Sequence, residues 1–284
     1  MTPTAVLLLS CPDQPGLVHA VAQFVLDAGG NILHAEQHTD REAGVFFQRV
    51  EFDLDEARVA RDDLRAAFAP VADRFGMTAA VRFTDQRPRL AILASKQPHC
   101  VADLLGRWRA GELAADIAVV ISNHPDHAAL ADFSGVPYRH LPIDPGDRAA
   151  GEAALVAELA THDVELVVLA RYMQILGPAV LDAYPNRIVN IHHSFLPAFV
   201  GARPYHQAQQ RGVKLIGATA HYATADLDEG PIIAQDVEPV SHRDSVADMV
   251  RKGRDLETVV LARAVRAHVE HRTLVFGNKT IVFG

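Results

Sequence analysis

The chain has 284 residues, of which 49% are hydrophobic and 22% charged, and its formal net charge is −8. At roughly 150 residues per domain this length predicts two domains, and the composition excludes a disordered, collagen-like or coiled-coil chain. The acidic balance argues against a nucleic-acid partner, and the sequence contains no run of about 18 apolar residues that would predict a membrane span.

The cysteines and histidines give no sign of cross-linking or metal binding. Cys11 and Cys100 are the only cysteines, so a disulfide framework is excluded and a reducing, cytoplasmic setting is expected. The 15 histidines occur without a C-x-x-C or H-E-x-x-H pattern, and we therefore predict no metal site. The apolar N-terminal stretch has no basic start and no small-residue cleavage site, so we interpret it as a strand rather than a signal peptide.

Residues 1–84 have the pattern of one small α+β unit. Apolar runs and helically spaced apolar residues follow one another in the order β-α-β-β-α-β, which is the ferredoxin-like arrangement. The predicted elements are a strand at 5–10, a helix at 17–28, a hairpin of strands at 31–39 and 45–54, a helix from Asp55 to about Phe68, and a strand at 77–83. The polar segment 85–88 is predicted to be the linker to a second domain at 89–284.

The second domain alternates short apolar strands with helices. Strands are predicted at 90–95, 117–122, 165–170, 187–191 and 214–221, with helices near 98–110, 125–133, 148–161 and 243–271 and terminal strands at 273–275 and 280–283. This alternation predicts an α/β domain with a doubly wound, mostly parallel sheet. Such sheets carry their sites beyond the carboxyl ends of their strands, which draws attention to the polar residues that follow each strand.

One of these strand ends carries residues able to do chemistry. Asn190 and His192 stand at alternating positions, so their side chains share one face of the strand. Asp228 or Asp226, from a later loop, is expected to meet them. An amide, an imidazole and a carboxylate are able to stabilise an oxyanion and move protons during attack on a carbonyl group. No serine or cysteine stands in a nucleophile elbow, so the nucleophile is expected to be a substrate amine or water.

The amino-acid sequences of several segments resemble those of known families. Residues 190–199 are NIHHSFLPAF, 217–221 are GATAH and 226–233 are DLDEGPII; with Gly201 they resemble the folate-dependent formyltransferase fold over 89–284. The N-terminal unit, with DQPGL at 13–17 and GNI at 30–32, resembles an ACT domain. The two domains in this order, and the doubled histidine at 192–193 where formyl-transferring relatives usually carry proline second, are similar to the formyltetrahydrofolate deformylase family.

This resemblance implies an enzyme that hydrolyses 10-formyltetrahydrofolate to tetrahydrofolate and formate, with water as the formyl acceptor. The folate is then the substrate, and no tightly bound cofactor is expected. By position, the catalytic residues are Asn190, His192 and Asp228. The folate pocket is implied at 171–176 and 224–228, and the substrate-binding residues are Met173, Gln174, Ile175, Leu176, Thr224, Leu227 and Gly201.

The ACT resemblance implies regulation and assembly. Such domains pair with one another, so a homo-oligomer formed through ACT pairing is expected, and they hold amino acids at the pairing interface. Glycine or methionine is the effector that the family implies, and the effector-binding residues by position are Asp13, Gly16, Leu17 and Asn31. In this interpretation backbone N–H groups at a helix N-terminus receive the carboxylate of the effector.

Two other functions remain open. The first is transfer of the formyl group to an amine such as glycinamide ribonucleotide. It is disfavoured by the loop SKQPHC at 95–100, because Pro98 has no N–H and no glycine allows the close backbone approach that a phosphate needs. The second is a non-catalytic folate or amino-acid sensor, which has no need of the three catalytic residues. Formate release without any acceptor distinguishes hydrolysis from both.

Overall fold

A computed structural model describes residues 3–55, 58–144, 146–197 and 204–284. The chain divides into two units, each with its own sheet. The first unit contains Met1–Arg87, Glu270–Leu274 and Ile281–Gly284, and the second contains Pro88–Val269 and Val275–Thr280. The domain boundaries at 1–84 and 89–284, with a linker at 85–88, stay a prediction.

The first unit is built on a four-stranded antiparallel sheet with two helices. Its strand order is β2-β3-β1-β4, and the β-α-β-β-α-β order predicted from the sequence is confirmed. The apolar residues of the helices and of one sheet face form a single core. The elements are β1 (Thr4–Pro12), α1 (Leu17–Asp27), β2 (Ile32–Asp40), β3 (Val45–Asp53), α2 (Leu64–Phe75) and β4 (Thr78–Phe83).

Helix α2 lies further along the chain than the sequence predicted. It begins at Leu64, after a short 3₁₀ turn, and ends at Phe75 rather than near Phe68. Phe68 packs edge-on against Phe24 of α1, with ring centroids 4.9 Å apart, and Phe75 continues the same apolar face into the core. The free energy gained by this burial compensates for the backbone hydrogen bond that is missing at Pro70 inside the helix.

The second unit is built on a seven-stranded sheet, and the predicted mostly parallel arrangement is confirmed. Five neighbouring strands run parallel, and the last two along the chain are antiparallel at one edge. The strands are β5 (Arg89–Ala94), β6 (Asp116–Ser122), β7 (Tyr138–His140), β8 (Leu166–Ala170), β9 (Ile188–His192), β10 (Leu215–Tyr222) and β11 (Ile232–Pro239). The order across the sheet is β11-β10-β9-β8-β5-β6-β7.

Helices cover both faces of this sheet. The sheet therefore separates two layers of hydrophobic core, one on each face. The longest helix packs on β9, β10 and β11 and so lies beside the strand end that carries Asn190. The helices are α3 (His99–Arg109), α4 (Ala128–Ser134), α5 (Arg148–Thr161), α6 (Pro178–Ala183), α7 (Pro204–Arg211) and α8 (Val246–Val269), followed by a hairpin of β12 (Thr273–Phe276) and β13 (Lys279–Val282). In the part of the chain that the structure describes, no helix is both long and apolar enough for a membrane span.

Candidate active site

The three residues predicted to act together meet beside β9. Asn190 and His192 lie two residues apart on this strand, and both line the same cavity. Asp228 comes from the loop between β10 and β11, and its Oδ1 lies 3.2 Å from Nδ1 of His192. Because a carboxylate only accepts, Nδ1 of His192 carries the proton in this contact. Nε2 of His192 is buried and has no hydrogen-bond partner among the described residues.

A second imidazole, that of His221, completes this group. His221 lies directly opposite Asn190 on the antiparallel strand β10, and the Asn190 amide Nδ2 lies 3.1 Å from its Nε2. The same Nε2 lies 3.7 Å from Oδ1 of Asp228. The hydrogen bond from His192, and then the nearby His221 imidazole, hold the pKa of the Asp228 carboxyl well below its usual range. Asp228 is therefore a carboxylate at any pH near neutrality.

The loop that carries Asp228 is closed tightly against the end of β10. The Tyr222 amide donates to the Pro231 carbonyl at 2.9 Å. A Cβ on Gly230 would overlap the backbone carbonyl of Tyr222, so only glycine allows the two segments to approach this closely. Asp228 itself has a φ of 59°, a left-handed conformation that is strained for a non-glycine residue. Strain of this kind is common where a side chain is held for function.

The turn after the two histidines is held by one buried hydroxyl. Oγ1 of Thr219 on β10 donates to the Ser194 carbonyl at 2.9 Å and accepts from the Leu196 amide at 3.1 Å. The peptide bond between Leu196 and Pro197 is cis. Thr219 is fully buried, so this turn is attached to β10 at the position that faces His192 across the sheet.

The cavity beside these residues has a volume of about 640 Å³. The predicted folate-binding side chains line it, except Gly201, which lies outside the described residues. Three of them, Met173, Ile175 and Leu227, are more than half exposed. Large apolar side chains so exposed around one opening are typical of a ligand site. The predicted residues that line the cavity are Met173, Gln174, Ile175, Leu176, Thr224 and Leu227.

The loop that forms one wall of the cavity is anchored by Ser95, the first residue of the segment SKQPHC. Oγ of Ser95 accepts from the Met173 amide at 3.0 Å and donates to Oδ1 of Asn123 at 2.7 Å. Ser95 is buried and Lys96 is exposed. Ser95 thus supports the cavity-lining loop that contains Met173.

A second polar cluster, which the sequence analysis did not predict, forms another wall. Glu257 of α8 is only 2% exposed. Its carboxylate accepts from Nε2 of His99 at 2.7 Å and from the Tyr205 hydroxyl at 3.2 Å, and it lies 3.4 Å from Nε of Arg171. Arg171 also donates to Nδ1 of His193 at 2.6 Å. We call these five residues the Glu257 cluster.

The charges in the Glu257 cluster compensate one another. Burial opposes ionisation of Glu257, but the His99 hydrogen bond and the Arg171 charge together leave its pKa below its usual value. Burial lowers the pKa of His193 to about 4, and the Arg171 and His192 charges add to this effect. Burial also raises the pKa of the Tyr205 hydroxyl, as does the neighbouring Glu257 carboxylate. The cluster therefore holds one carboxylate and one guanidinium at neutral pH.

Two residues of this cluster, together with the neighbouring Cys100, have the donor atoms of a metal site but not its electrostatics. Donor atoms of His99, Cys100 and Glu257 lie within 4.8 Å of one another. However, burial raises the pKa of the Cys100 thiol strongly, and Arg171 places a positive charge beside the carboxylate. A metal ion would have to displace the thiol proton and approach the guanidinium. These residues are therefore better suited to hydrogen bonding with one another than to metal binding.

Three of the predicted effector residues, Asp13, Gly16 and Leu17, lie around the N-terminus of α1, whereas Asn31 follows the C-terminal end of this helix and is not brought to them. Gly16 precedes the helix with a φ of 93° and no side chain caps the helix, and Leu17 is buried. The N–H of Asp13 already donates to the Gly44 carbonyl, and that of Asn31 donates to Asp53. The backbone donors of Asp13 and Asn31 are therefore in use, and the first turn of α1 is the part able to receive an anion.

The cavity-lining side chains that were not singled out from the sequence share one property: their partners are distant in the chain. His221 had no predicted role, and Arg171 was included only as the first residue of the predicted pocket segment 171–176. A signal for Glu257 was present, because it interrupts the apolar face of α8 between Gly253 and Val260, and a charge at a core position of a helix needs a partner. The partner itself was not predictable from spacing.

The fold and site define the class of protein. Residues 88–265 match the family model described as formyl transferase, and residues 5–69 match the ACT domain model. A cavity with an Asn-His-Asp group at the strand ends of the second unit, preceded by an ACT unit, thus places this chain among the formyl transferase-type proteins.

The full-length relatives narrow this class. The chain is 56% identical to the formyltetrahydrofolate deformylase of Synechocystis sp. over 99% of this chain and 98% of that protein, and 51% identical to that of Bacillus subtilis over 98% and 93%. The crystal structure of a formyltetrahydrofolate deformylase from Pseudomonas syringae pv. tomato is similar, with a TM-score of 0.98, 49% identity and coverage of 100% of this chain and 95% of that one. The chain belongs to the formyltetrahydrofolate deformylase family.

We predict that Gly230→Ala displaces Asp228 from the two imidazoles, because the added Cβ overlaps the Tyr222 carbonyl. The pKa of the Asp228 carboxyl then rises toward its usual value of about 3.9, since the His192 hydrogen bond and the nearby His221 imidazole that lower it are lost. Carbon-13 NMR of the aspartate carboxyls measures this change. Gly151→Ala is the matched control, because a Cβ there meets nothing within 4 Å. An unchanged Asp228 pKa in the Gly230 variant contradicts the prediction.

Proposed function

We propose that this protein hydrolyses 10-formyltetrahydrofolate to tetrahydrofolate and formate. The observation that carries the proposal is the meeting of Asn190, His192 and Asp228 at one cavity, with Nε2 of His192 left without a hydrogen-bond partner among the described residues. The formyltetrahydrofolate deformylase family to which the chain belongs supports the choice of substrate.

The substrate fits the cavity by shape and polarity. A pterin ring is flat, apolar on its faces and rich in hydrogen-bonding groups at its edge. In the proposed complex Met173, Ile175 and Leu227 cover the ring faces, and the backbone of 171–176 and 224–228 meets its edge. The formyl group on N10 then lies beside Asn190 and His192.

The proposed mechanism gives a role to each of the three residues. Asp228, as a carboxylate, keeps the proton of His192 on Nδ1 and thereby turns Nε2 toward the reacting atoms as a base. Nε2 takes a proton from water as the water oxygen bonds to the formyl carbon. The second N–H of the Asn190 amide and the newly protonated His192 stabilise the oxyanion. His192 then protonates N10, the oxyanion re-forms a C=O bond as the C–N10 bond breaks, and tetrahydrofolate leaves with formic acid, which loses its proton to solvent as formate.

Water, rather than a nucleotide amine, is the proposed acceptor. Solved glycinamide ribonucleotide transformylases share this fold: that of Symbiobacterium toebii has 36% identity and a TM-score of 0.66, over 70% of this chain and 95% of that one. In this chain the SKQPHC loop offers a phosphate no glycine-rich nest. The cavity wall is also occupied by the Glu257 cluster, whose polar groups already bond to one another.

We predict that Asp228→Asn reduces turnover about 10³–10⁴-fold, because an amide no longer holds His192 in the productive tautomer, while folate binding is nearly unchanged. Asn190→Ala is expected to cost about 10²–10³-fold through the lost oxyanion donor. Formate and tetrahydrofolate are measured together with 10-formyltetrahydrofolate as sole substrate. Asp226→Asn, an exposed residue of the same loop, is the control. Normal formate release by the Asp228 variant, or none by the wild type, refutes the proposal.

We further propose that the first unit pairs with a second copy through β2. This strand lies at the edge of its sheet with only β3 as neighbour, and Ile32 and Leu33 expose 37% and 53% of their surface. An exposed edge strand with apolar side chains is a template for pairing.

Leu33→Lys is therefore expected to dissociate the oligomer, because a charge on each copy is placed at the paired edge. Sedimentation velocity measures the size of wild type and variant. Leu215→Lys, an equally exposed leucine of the second unit, is the control and stays assembled. A monomeric wild type, or a variant of unchanged size, contradicts pairing through β2.

The proposed effector is an amino acid, glycine or methionine, whose carboxylate binds the uncapped N-terminus of α1. The N–H groups of the first helical turn and the helix dipole favour an anion there. We predict heat of binding for one of these two amino acids in calorimetry, and none for the corresponding amino-acid amide, which lacks the carboxylate. Because coupling is reciprocal, the folate and the effector change each other's affinity by the same factor. No heat with either amino acid removes this proposal alone.

A further inference from the structure

Two histidine rings lie stacked at the wall of the cavity, and they have different partners. The rings of His192 and His193 are 4.9 Å apart at their centroids, with 27° between their planes. Nδ1 of His192 faces the carboxylate of Asp228, whereas Nδ1 of His193 faces the guanidinium of Arg171 at 2.6 Å. A carboxylate only accepts hydrogen bonds and a guanidinium only donates them. The two rings are therefore held in opposite tautomers.

The tautomer of His193 follows from its contact with Arg171. Arg171 stays protonated at every relevant pH, so Nδ1 of His193 must accept and cannot carry a proton. The proton of the neutral ring then lies on Nε2. His193 lines the cavity, and its Nε2 has no hydrogen bond to another described residue. His193 thus carries an N–H donor on a ring that lines the cavity and is stacked on the ring of His192, the proposed base.

Arg171 is held in a strained backbone conformation. Its φ of 61° is left-handed and strained for a residue with a side chain. The Glu257 carboxylate lies 3.4 Å from its Nε and is itself fastened by His99 and Tyr205. Gly253, one turn before Glu257 on α8, leaves the space that the Tyr205 hydroxyl fills. The position of the guanidinium is thus determined from four elements of the fold.

We propose that Arg171, anchored by Glu257, is a positioning residue that keeps His193 neutral with its proton on Nε2, so that the stacked pair takes up only one proton, at His192. This inference deepens the proposed function and rests on it. During hydrolysis the water proton moves to His192 and from there to N10. A proton already on His193 would place a positive charge against the ring of His192 and oppose that first transfer. Neutral His193 instead leaves the ring of His192 without that repulsion.

The surroundings of His193 favour the neutral ring overall. Burial and the Arg171 and His192 charges oppose a proton there, and the two carboxylates favour one only weakly; together they lower its pKa to about 4. The charged or titratable groups that face His193 are Arg171 after β8, His192 on β9, Tyr205 on α7, Asp228 after β10 and Glu257 on α8.

The first test is a nitrogen-15 NMR titration of the histidine rings in the full-length protein between pH 4.5 and 8.5. The His193→Gln variant assigns the His193 signals. In the wild type His193 is expected to stay neutral with its proton on Nε2 over this range. In Arg171→Gly, which removes the cation and relieves the strained φ, the His193 pKa is expected to rise toward the ordinary value of about 6.5. Arg171→Lys, which keeps the charge, is expected to leave His193 neutral.

The second test is the pH profile of formate release by the same variants. With Arg171→Gly, kcat at pH 6 is expected to fall about fourfold relative to its value at pH 8, because a ring with a pKa of about 6.5 is only about one quarter neutral at pH 6, while KM changes less than about threefold. Arg171→Lys restores most of the wild-type profile. The matched control is Asn186→Gly, which relieves a similar φ of 53° at a residue outside the cavity and leaves the profile unchanged.

The outcomes separate this inference from the proposed function. A wild-type His193 that titrates near pH 6.5, or that carries its proton on Nδ1, overturns the inference even if hydrolysis is normal. A folded Arg171→Gly variant whose pH profile matches the wild type overturns it as well. If the wild type releases no formate, the proposed function fails, and with it the role assigned to Arg171, whatever the titration shows.

Discussion

The contact between the Asp228 carboxylate and the His192 imidazole is the interaction on which the site depends. It joins the end of β9 to a loop that leaves β10, and it decides which nitrogen of His192 faces the cavity. The fold supports it with a glycine that permits close approach at position 230 and with a strained backbone at Asp228 itself. A buried carboxylate persists only with such partners, and here two imidazoles supply them.

In the Glu257 cluster a charged partner also fixes the tautomer of a histidine, but the proton is placed on the other nitrogen. Beside His192 a carboxylate fixes the proton on Nδ1, whereas beside His193 a guanidinium keeps Nδ1 without a proton. Two adjacent residues of one type therefore differ in chemistry because of residues brought from α8 and from the end of β8. Breaking either pair leaves a buried charge without compensation, which is costly, so each cluster also stabilises the position of its own histidine.

Much of the fold followed from periodicity, and its errors have identifiable causes. The β-α-β-β-α-β order and the alternating strands and helices of the second unit were predicted because buried strands and amphipathic helices differ in period. Strand β7 was missed because its three residues, Tyr138–His140, carry no apolar pattern. Strand β11 was missed because an edge strand exposes much of its length. Helix α2 was misplaced because packing of Phe68 and Phe75 outweighed the local signals around Asp55.

By itself the sequence determined which chemical groups this protein brings to the strand end: alternation placed Asn190 and His192 on one face, and the motifs around them indicated the family. Only the tertiary structure decided which nitrogen of His192 carries the proton and which other residues join the site. His221 joins the site because β10 runs antiparallel to β9, and Arg171 and Glu257 meet because α8 packs across the sheet. The physical reason is that charge compensation acts through space, between residues whose separation along the chain carries no information about it.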